Sequence, residues 1–246
     1  MDDMLYVAMS GAKETLIAQA AATNNLANAS TTGFLADLNQ FRSMPVFGSG
    51  YPTRVYAMDE SPNSNFDHGS VQQTGRDLDV APRDGGWIAL QAFDGSEGYS
   101  RRGDMRVDEN GLLVTGNNLP VMGNGGPIAI PPFEKIDIGA DGTVSIRPLG
   151  ATSQQLAVVD RIKLVAPQFG EMKKGEDGLF RLGGGDEAEA DPTQRLVAGA
   201  LIASNVNAVD EMVNMIELSR RFELQVKMMQ TAEENAESAS SLMQPV

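Results

Sequence analysis

Between Met4 and about Asn28, apolar and small residues return at the helical period. Leu5, Met9, Ala12, Leu16, Ala20, Thr23 and Ala27 fall on one stripe of an alanine-rich segment without proline. This predicts a long helix. Gly11 inside it costs about 1 kcal/mol relative to alanine. With Ala8 and Ala12 nearby, it fits either a close helix-helix approach or simple tolerance.

From about Phe34 to Ala200 the pattern changes to short alternating runs separated by glycine, proline and Asx turn signals. Met105 and Val107 precede an Asp-Glu-Asn-Gly turn with Leu113 after it. Ile136 and Ile138 precede an Asp-Gly, with Val144 and Ile146 beyond. Both read as β-hairpins. Further strands are expected over Trp87 to Phe93, Leu119 to Met122 and a longer run from Leu156 to Val165. Arg42 to Ser70 has no sustained period and reads as an extended linker.

Helical periodicity returns after Ser204, a candidate N-cap, and predicts a helix from Asn205 to about Ser240, roughly 54 Å long. Its heptad a and d positions are Met212, Met215, Ser219, Phe222, Val226 and Met229, with Val209 and Ile216 widening the stripe. Glu217 with Arg221 and Glu223 with Lys227 are i,i+4 pairs in the favourable order. Glu233, Glu234 and Glu237 oppose the helix dipole, so fraying is expected at that end.

These patterns predict an α+β chain. Long N- and C-terminal helices pair as a coiled-coil-like inner domain, and a β-rich insert lies between them. The expected segments are 1–36 (first helix), 37–73 (linker), 74–200 (β-rich domain) and 201–246 (second helix). Two helices bury only one seam each, so their remaining apolar surface calls for neighbouring subunits. The other arrangement is an ordinary α+β domain whose terminal helices cover its own sheet.

Composition narrows the function. The 246 residues include no cysteine, which removes disulfides, thiolate nucleophiles and Cys-ligated zinc. A formal charge of -14 repels phosphate backbones and anionic lipid surfaces, so no nucleic-acid partner is expected. The N-terminus, with Asp2 and Asp3, lacks the pattern of a cleaved Sec signal. No apolar run is long enough to predict a membrane span.

Candidate chemistry is sparse. His68 is the sole histidine, and no G-x-S-x-G elbow accompanies it. In "GEMKKGED", Glu176 stands where a P-loop needs lysine. Carboxylate pairs such as Asp77 with Asp79, Asp108 with Glu109, and Glu187 with Glu189 are abundant, as solvated turns in an acidic chain would be. A peptidoglycan-active glycosidase using two of them is the enzymatic alternative. No catalytic residue, cofactor or metal is assigned.

Three stretches carry a resemblance. "SGAKETLIAQAAATNNLANASTTGF" resembles the N-terminal signature of the bacterial flagellar rod and hook proteins, and "SNVNAVDEMVNMIELSRRFELQVKMMQTAEE" resembles their C-terminal one. "GWIALQAFDGSEGYSRRGDMRVDENGLLVTGNNLPVMGNGGPIAIP" is similar to their central module. Within the family, "TGRDLDVAPRDGGWIAL" and "VDRIKLVAP" are most like the proximal rod subunit that precedes the distal rod, with a distal rod or hook-type subunit as the alternative. Leu35 departs from the basic residue that many relatives carry after Gly-Phe.

The resemblance implies a non-enzymatic subunit of the basal-body rod. It would pass through the flagellar export apparatus without a cleaved Sec signal and assemble in the periplasm with other rod proteins, including the distal one. Leu5, Met9, Ala12, Leu16 and Leu26 are then expected to pack against the stripe from Met212 to Met229, Ile216 included, both in cis and between subunits. Asn24, Asn25, Asn28, Gly33 and Phe34 are expected at the junction where the first helix ends.

Overall fold

In the computed structural model the described residues are 2–45, 55–59, 63–150 and 156–242. They divide into two compact units. One draws on Met1–Ala29, Ala36–Asn65 and Val206–Val246, the other on Ser30–Leu35 and Phe66–Asn205.

The first unit is built on helix α1, Asp2–Ala27, and helix α2, Ala208–Leu242. The α2 start differs from the sequence expectation. Asn207, not Ser204, caps it: Asn207 Oδ1 accepts the Val209 N–H at 3.1 Å, and its Nδ2 donates to Asp210 Oδ2 at 2.7 Å. Asp210 and Glu211 add negative charge where the helix dipole favours it. The helix runs on through Glu233, Glu234 and Glu237 to Leu242.

Strands β1 (Asp37–Leu38), β2 (Phe41–Pro45), β3 (Val55–Asp59) and β4 (Asn63–Ser64) complete this unit. β1 pairs with β4, and β2 with β3, all antiparallel. Thus much of the stretch expected as linker is paired ribbon; residues 46–54 and 60–62 lie outside the described ones. The strands of this ribbon face mostly solvent, so apolar and polar residues need not alternate along them. Ser10 Oγ on α1 donates to Ala57 O at 3.1 Å, tying the ribbon to the helix. A groove of about 450 Å³ runs alongside, lined by Val7, Phe41, Val55, Tyr56, Gln225 and Met228 among others.

The second unit holds β5 (Val71–Gln73), β6 (Val80–Pro82), β7 (Trp87–Gln91), β8 (Glu97–Ser100), β9 (Met105–Val107) and β10 (Leu113–Thr115). They are followed by β11 (Phe133–Ile138), β12 (Thr143–Pro148), β13 (Ala157–Arg161), β14 (Leu164–Val165), β15 (Met172–Lys174), β16 (Phe180–Leu182), β17 (Leu196–Ala198) and β18 (Ala200–Ile202). A five-stranded sheet runs β14-β7-β8-β16-β15 and a three-stranded one β11-β12-β13; β9/β10, β6/β17 and β5/β18 are two-stranded.

Both expected hairpins are present, with Met105 opposite Thr115 and Ile136 opposite Ile146. The run from Leu156 to Val165 is not one strand. β13 pairs with β12 and β14 with β7, so the chain changes sheets at Ile162. Leu119 to Met122 contributes isolated bridges, Val121 with Leu90 and Pro120 with Val114.

Strand β7 explains its own sequence. Ile88 and Leu90 point into the main core with Val121, Ile128, Val144 and Ile162, whereas Trp87 and Ala89 point into a second cluster with Leu35, Tyr99, Val165 and Phe180. A strand buried on both faces reads as a continuous apolar run. Arg101 lies over the Trp87 ring at 4.6 Å and donates to Phe66 O at 3.1 Å; burial lowers its pKa to about 10.

Candidate assembly surface

Helices α1 and α2 pack antiparallel, and the seam between them is not the one the sequence suggested. On α1 the inward positions are Ala8, Gly11, Thr15, Ala18, Ala22 and Asn25, spaced alternately three and four apart. On α2 they are Glu211, Met215, Leu218, Phe222, Gln225 and Met229, spaced four and three. Ala18 and Ala22 bury Leu218, which is 5% exposed. A β-carbon built on Gly11 would meet Gln225 Nε2 at 2.8 Å, so its absence reflects close approach.

Two layers of this seam are polar. Thr15 Oγ1 lies 3.1 Å from Gln225 Oε1 and 2.8 Å from Gly11 O. Nearer the end of α1, buried Asn25 donates to Glu211 Oε1 at 2.9 Å and to Asp37 O at 3.0 Å, while its Oδ1 accepts the Asp37 N–H at 2.8 Å.

The expected residues therefore divide. Ala12 and Asn25 are buried, while Leu26, Met215, Phe222, Val226 and Met229 are partly so. Leu5, Met9 and Leu16 are 40%, 53% and 49% exposed and point away from the seam. Met212 and Ile216 are 46% and 56% exposed, and Ser219 is exposed as well. The expected cis packing of Leu5, Met9 and Leu16 against α2 is thus corrected: small residues fill that seam and leave the large side chains on the opposite face of α1.

The sequence reading missed Leu218, Gln225, Thr15 and Glu211. The signal was the 3-4 recurrence of small residues from Ala8 to Ala22, outweighed by larger side chains on the other face.

The uncharged stretch ending α1 is satisfied within the chain. Asn24 Nδ2 donates to Asp37 Oδ2 at 2.8 Å, and Asn28 Nδ2 to Asn24 O at 2.9 Å. Beyond it, Ser30–Leu35 belongs to the β-rich unit. There the Gly33 N–H donates to Ile202 O at 2.8 Å, and Asn205 N–H to Phe34 O at 3.4 Å. Lys174 Nζ sits 4.2 Å over the Phe34 ring and donates to Leu35 O at 3.3 Å. Leu35 is 2% exposed in the cluster around Trp87, a place for an apolar side chain.

The acidic residues take structural roles. Asp94, Asp108, Asp141 and Asp191 each accept the N–H two residues ahead, from Ser96, Asn110, Thr143 and Thr193, and Asp177 accepts that of Leu179. The largest causes are the Ser96, Thr143 and Thr193 hydroxyls at Asp94, Asp141 and Asp191, the Leu112 N–H at Asp108 and the Arg181 side chain at Asp177; with the backbone bonds above they hold all five carboxyl groups below their ordinary pKa. Glu97, nearly buried, pairs with Lys163 at 2.8 Å. Among the described residues no three His, Asp or Glu side chains gather as a metal site, and no helix is long and apolar enough to cross a membrane.

Three family profiles match the chain. The one described as flagella basal body rod protein covers residues 5–34, the flagellar hook protein FlgE/F/G D1 domain covers 84–146, and the flagellar basal body rod FlgEFG protein C-terminal profile covers 197–242. The chain is 44% identical to the flagellar basal-body rod protein FlgF of Escherichia coli (strain K12), across 99% of both chains. It is 42% identical to that of Salmonella typhimurium, again across 99% of both. Against the rod protein FlgG of Buchnera aphidicola subsp. Schizaphis graminum identity is 28%, over 97% of this chain and 98% of that one. Full-length identity of this order, with both helical ends and the central module matched, leaves one conclusion: the chain belongs to the flagellar basal-body rod protein family.

Proposed function

We propose that this structural rod subunit occupies the proximal rod and assembles through its terminal helices, which act as a coiled-coil-like inner domain lining the axial channel. The observation that carries this reading is the division of α1 into two faces. Its small-residue face is satisfied by α2, while Leu5, Met9 and Leu16 stand exposed on the other. Val209, Met212, Val213 and Ile216 form a matching exposed patch on the first turns of α2. Such surface is costly in an isolated chain and stabilising once neighbouring subunits cover it. Heterologous contacts of this kind build helical structures when the rotation does not close.

The neighbours are other rod proteins, the distal one among them, and the subunit reaches the periplasm through the flagellar export apparatus. Segments 1–36 and 201–246 act in assembly, and 74–200 acts as the β-rich central domain. Of the junction residues, Asn24, Asn25, Asn28, Gly33 and Phe34 serve assembly by holding the helix exit in place. The role is mechanical, without catalytic turnover.

Leu16→Asp tests this. The side chain is exposed, so the purified variant should keep its parent's far-ultraviolet dichroism and unfolding midpoint, while basal bodies lack the subunit and cells lose motility. Normal motility in that variant refutes the proposed surface.

A further inference from the structure

We infer that the two polar layers, Thr15 with Gln225 and Asn25 with Glu211, fix the heptad register in which α1 and α2 pair. On α2 the positions one heptad apart are Glu211, Leu218 and Gln225; on α1 they are Gly11, Ala18 and Asn25, with Thr15 and Ala22 alongside. The structure matches these layer by layer. Gln225 meets Gly11 and Thr15, Leu218 meets Ala18 and Ala22, and Glu211 meets Asn25.

The apolar part of the seam cannot select this register by itself. Ala8, Ala12, Ala18 and Ala22 offer nearly equivalent sockets, and beyond Met229 the α2 face continues as Ala232, Ala236 and Ala239. A slide of one heptad, about 10.5 Å along the axis, would still place methyl groups against methyl groups. The polar layers make the difference. Sliding one way sets Gln225 against Ala18 and Ala22, and Asn25 against Leu218. Sliding the other way sets Glu211 against Ala18 and Ala22, and Leu218 against Gly11 and Thr15. Either slide leaves a buried amide or carboxylate without its partner, and an unmade buried hydrogen bond costs more than a made one contributes. A polar side chain at one core position sets register and pairing in coiled coils for the same reason.

The Thr15 layer closes with a defined orientation. A hydroxyl carries one proton, and the shorter contact, 2.8 Å to Gly11 O, takes it. Turning the Gln225 amide by half a rotation then lets Nε2 donate to Thr15, so both groups are satisfied.

This inference rests on the helix pair and not on which subunits surround it. Because the chain has no cysteine, paired cysteines introduced into the full-length protein report register without background. Ala18→Cys with Leu218→Cys reads the observed register; Ala18→Cys with Met229→Cys, or with Glu211→Cys, reads a one-heptad slide in either direction. A disulfide needs α-carbons within about 7 Å, so each pair reads one register only. Cells are oxidised, basal bodies isolated, and intramolecular cross-links scored on non-reducing gels.

In the otherwise unchanged chain only the Ala18–Leu218 pair should close. Adding Thr15→Val, Gln225→Leu and Glu211→Leu, with the last omitted where position 211 carries the reporter, removes the inter-helix polar contacts while keeping the seam filled. The slid-to-observed cross-link ratio should then rise about tenfold or more. Exclusive closure of the Ala18–Leu218 pair in that background overturns the inference, as does failure of that pair to close in the unchanged chain. If the apolar variant does not assemble, the exchange Thr15→Gln with Gln225→Thr decides. Assembly with the observed cross-link supports a register role, and failure like that of the apolar variant overturns it.

Discussion

Replacing Gly33 with alanine tests how the exit from α1 is held. Gly33 has φ near 68°, a left-handed conformation that costs an L side chain about 1 kcal/mol. A β-carbon there would also lie 2.4 Å from Arg102 N, 2.5 Å from Arg101 C and 2.7 Å from Arg102 Cα. These are backbone atoms, short of ordinary contact by roughly 1 Å, and no rotamer change relieves them. Moving the loop away would break the Gly33–Ile202 and Asn205–Phe34 hydrogen bonds, about 1 kcal/mol each. It would also loosen buried Leu35. The expected cost is roughly 3–4 kcal/mol.

Gly75→Ala is the control, because φ there is 73° but nothing lies within 4 Å of its β-carbon. Only the conformational cost, about 1 kcal/mol, should remain. Trp87, the single tryptophan, sits in the same cluster as Leu35, so its fluorescence follows unfolding of this unit in urea. With a slope of about 2 kcal/mol/M, the midpoint should fall by about 1.5 M or more for Gly33→Ala and about 0.5 M for Gly75→Ala. Equal shifts at the two glycines would refute the reasoning, since backbone crowding would then contribute nothing.

Two further outcomes follow from the packing and the turns. Leu218→Ala should destabilise the helix pair by about 2–3 kcal/mol, because neighbouring Ala18 and Ala22 cannot reach into the space; helix dichroism in urea and incorporation into basal bodies would both drop, and unchanged values would place Leu218 outside the seam. The five turn aspartates have folded-state pKa values below the ordinary 3.8, so what they contribute to stability is present above that pH and is lost as pH falls through the lowered values. Urea midpoints read by Trp87 should hold nearly level down to about pH 4 and then decline, and a decline centred near pH 6 would contradict the assignment.

Much of this fold is legible in the sequence because local chemistry dictates it. Asp108 to Gly111 and Asp141 with Gly142 announce their hairpins, and the structure closes both with the aspartate side chain. The two helices announce themselves by period. Which face turns inward was not legible, because periodicity weighs side chains by size. Leu5, Met9 and Leu16 dominate the α1 pattern yet face outward, whereas Ala8, Thr15 and Ala22 admit the second helix because they are small. On α2 a heptad begun at Met212 falls on Ser219 and Val226, one position past the inward Glu211, Leu218 and Gln225. The β2–β3 ribbon left no alternating signal, since most of its side chains meet solvent. Leu5, Met9 and Leu16 were thus read as packing against α2, whereas within the chain they stand exposed.

The hydrogen bond from Gly33 to Ile202 joins points near opposite ends of the chain. Strand order has a temporal consequence here. Among the described residues, β5 pairs with β18 and β6 with β17. Whichever terminus arrives first, these ladders stay open until well over half of the polypeptide is present. Contacts of such long sequence separation close late. For a subunit delivered by threading, as proposed above, this order of pairing would keep these ladders of the β-rich unit from locking halfway through the passage.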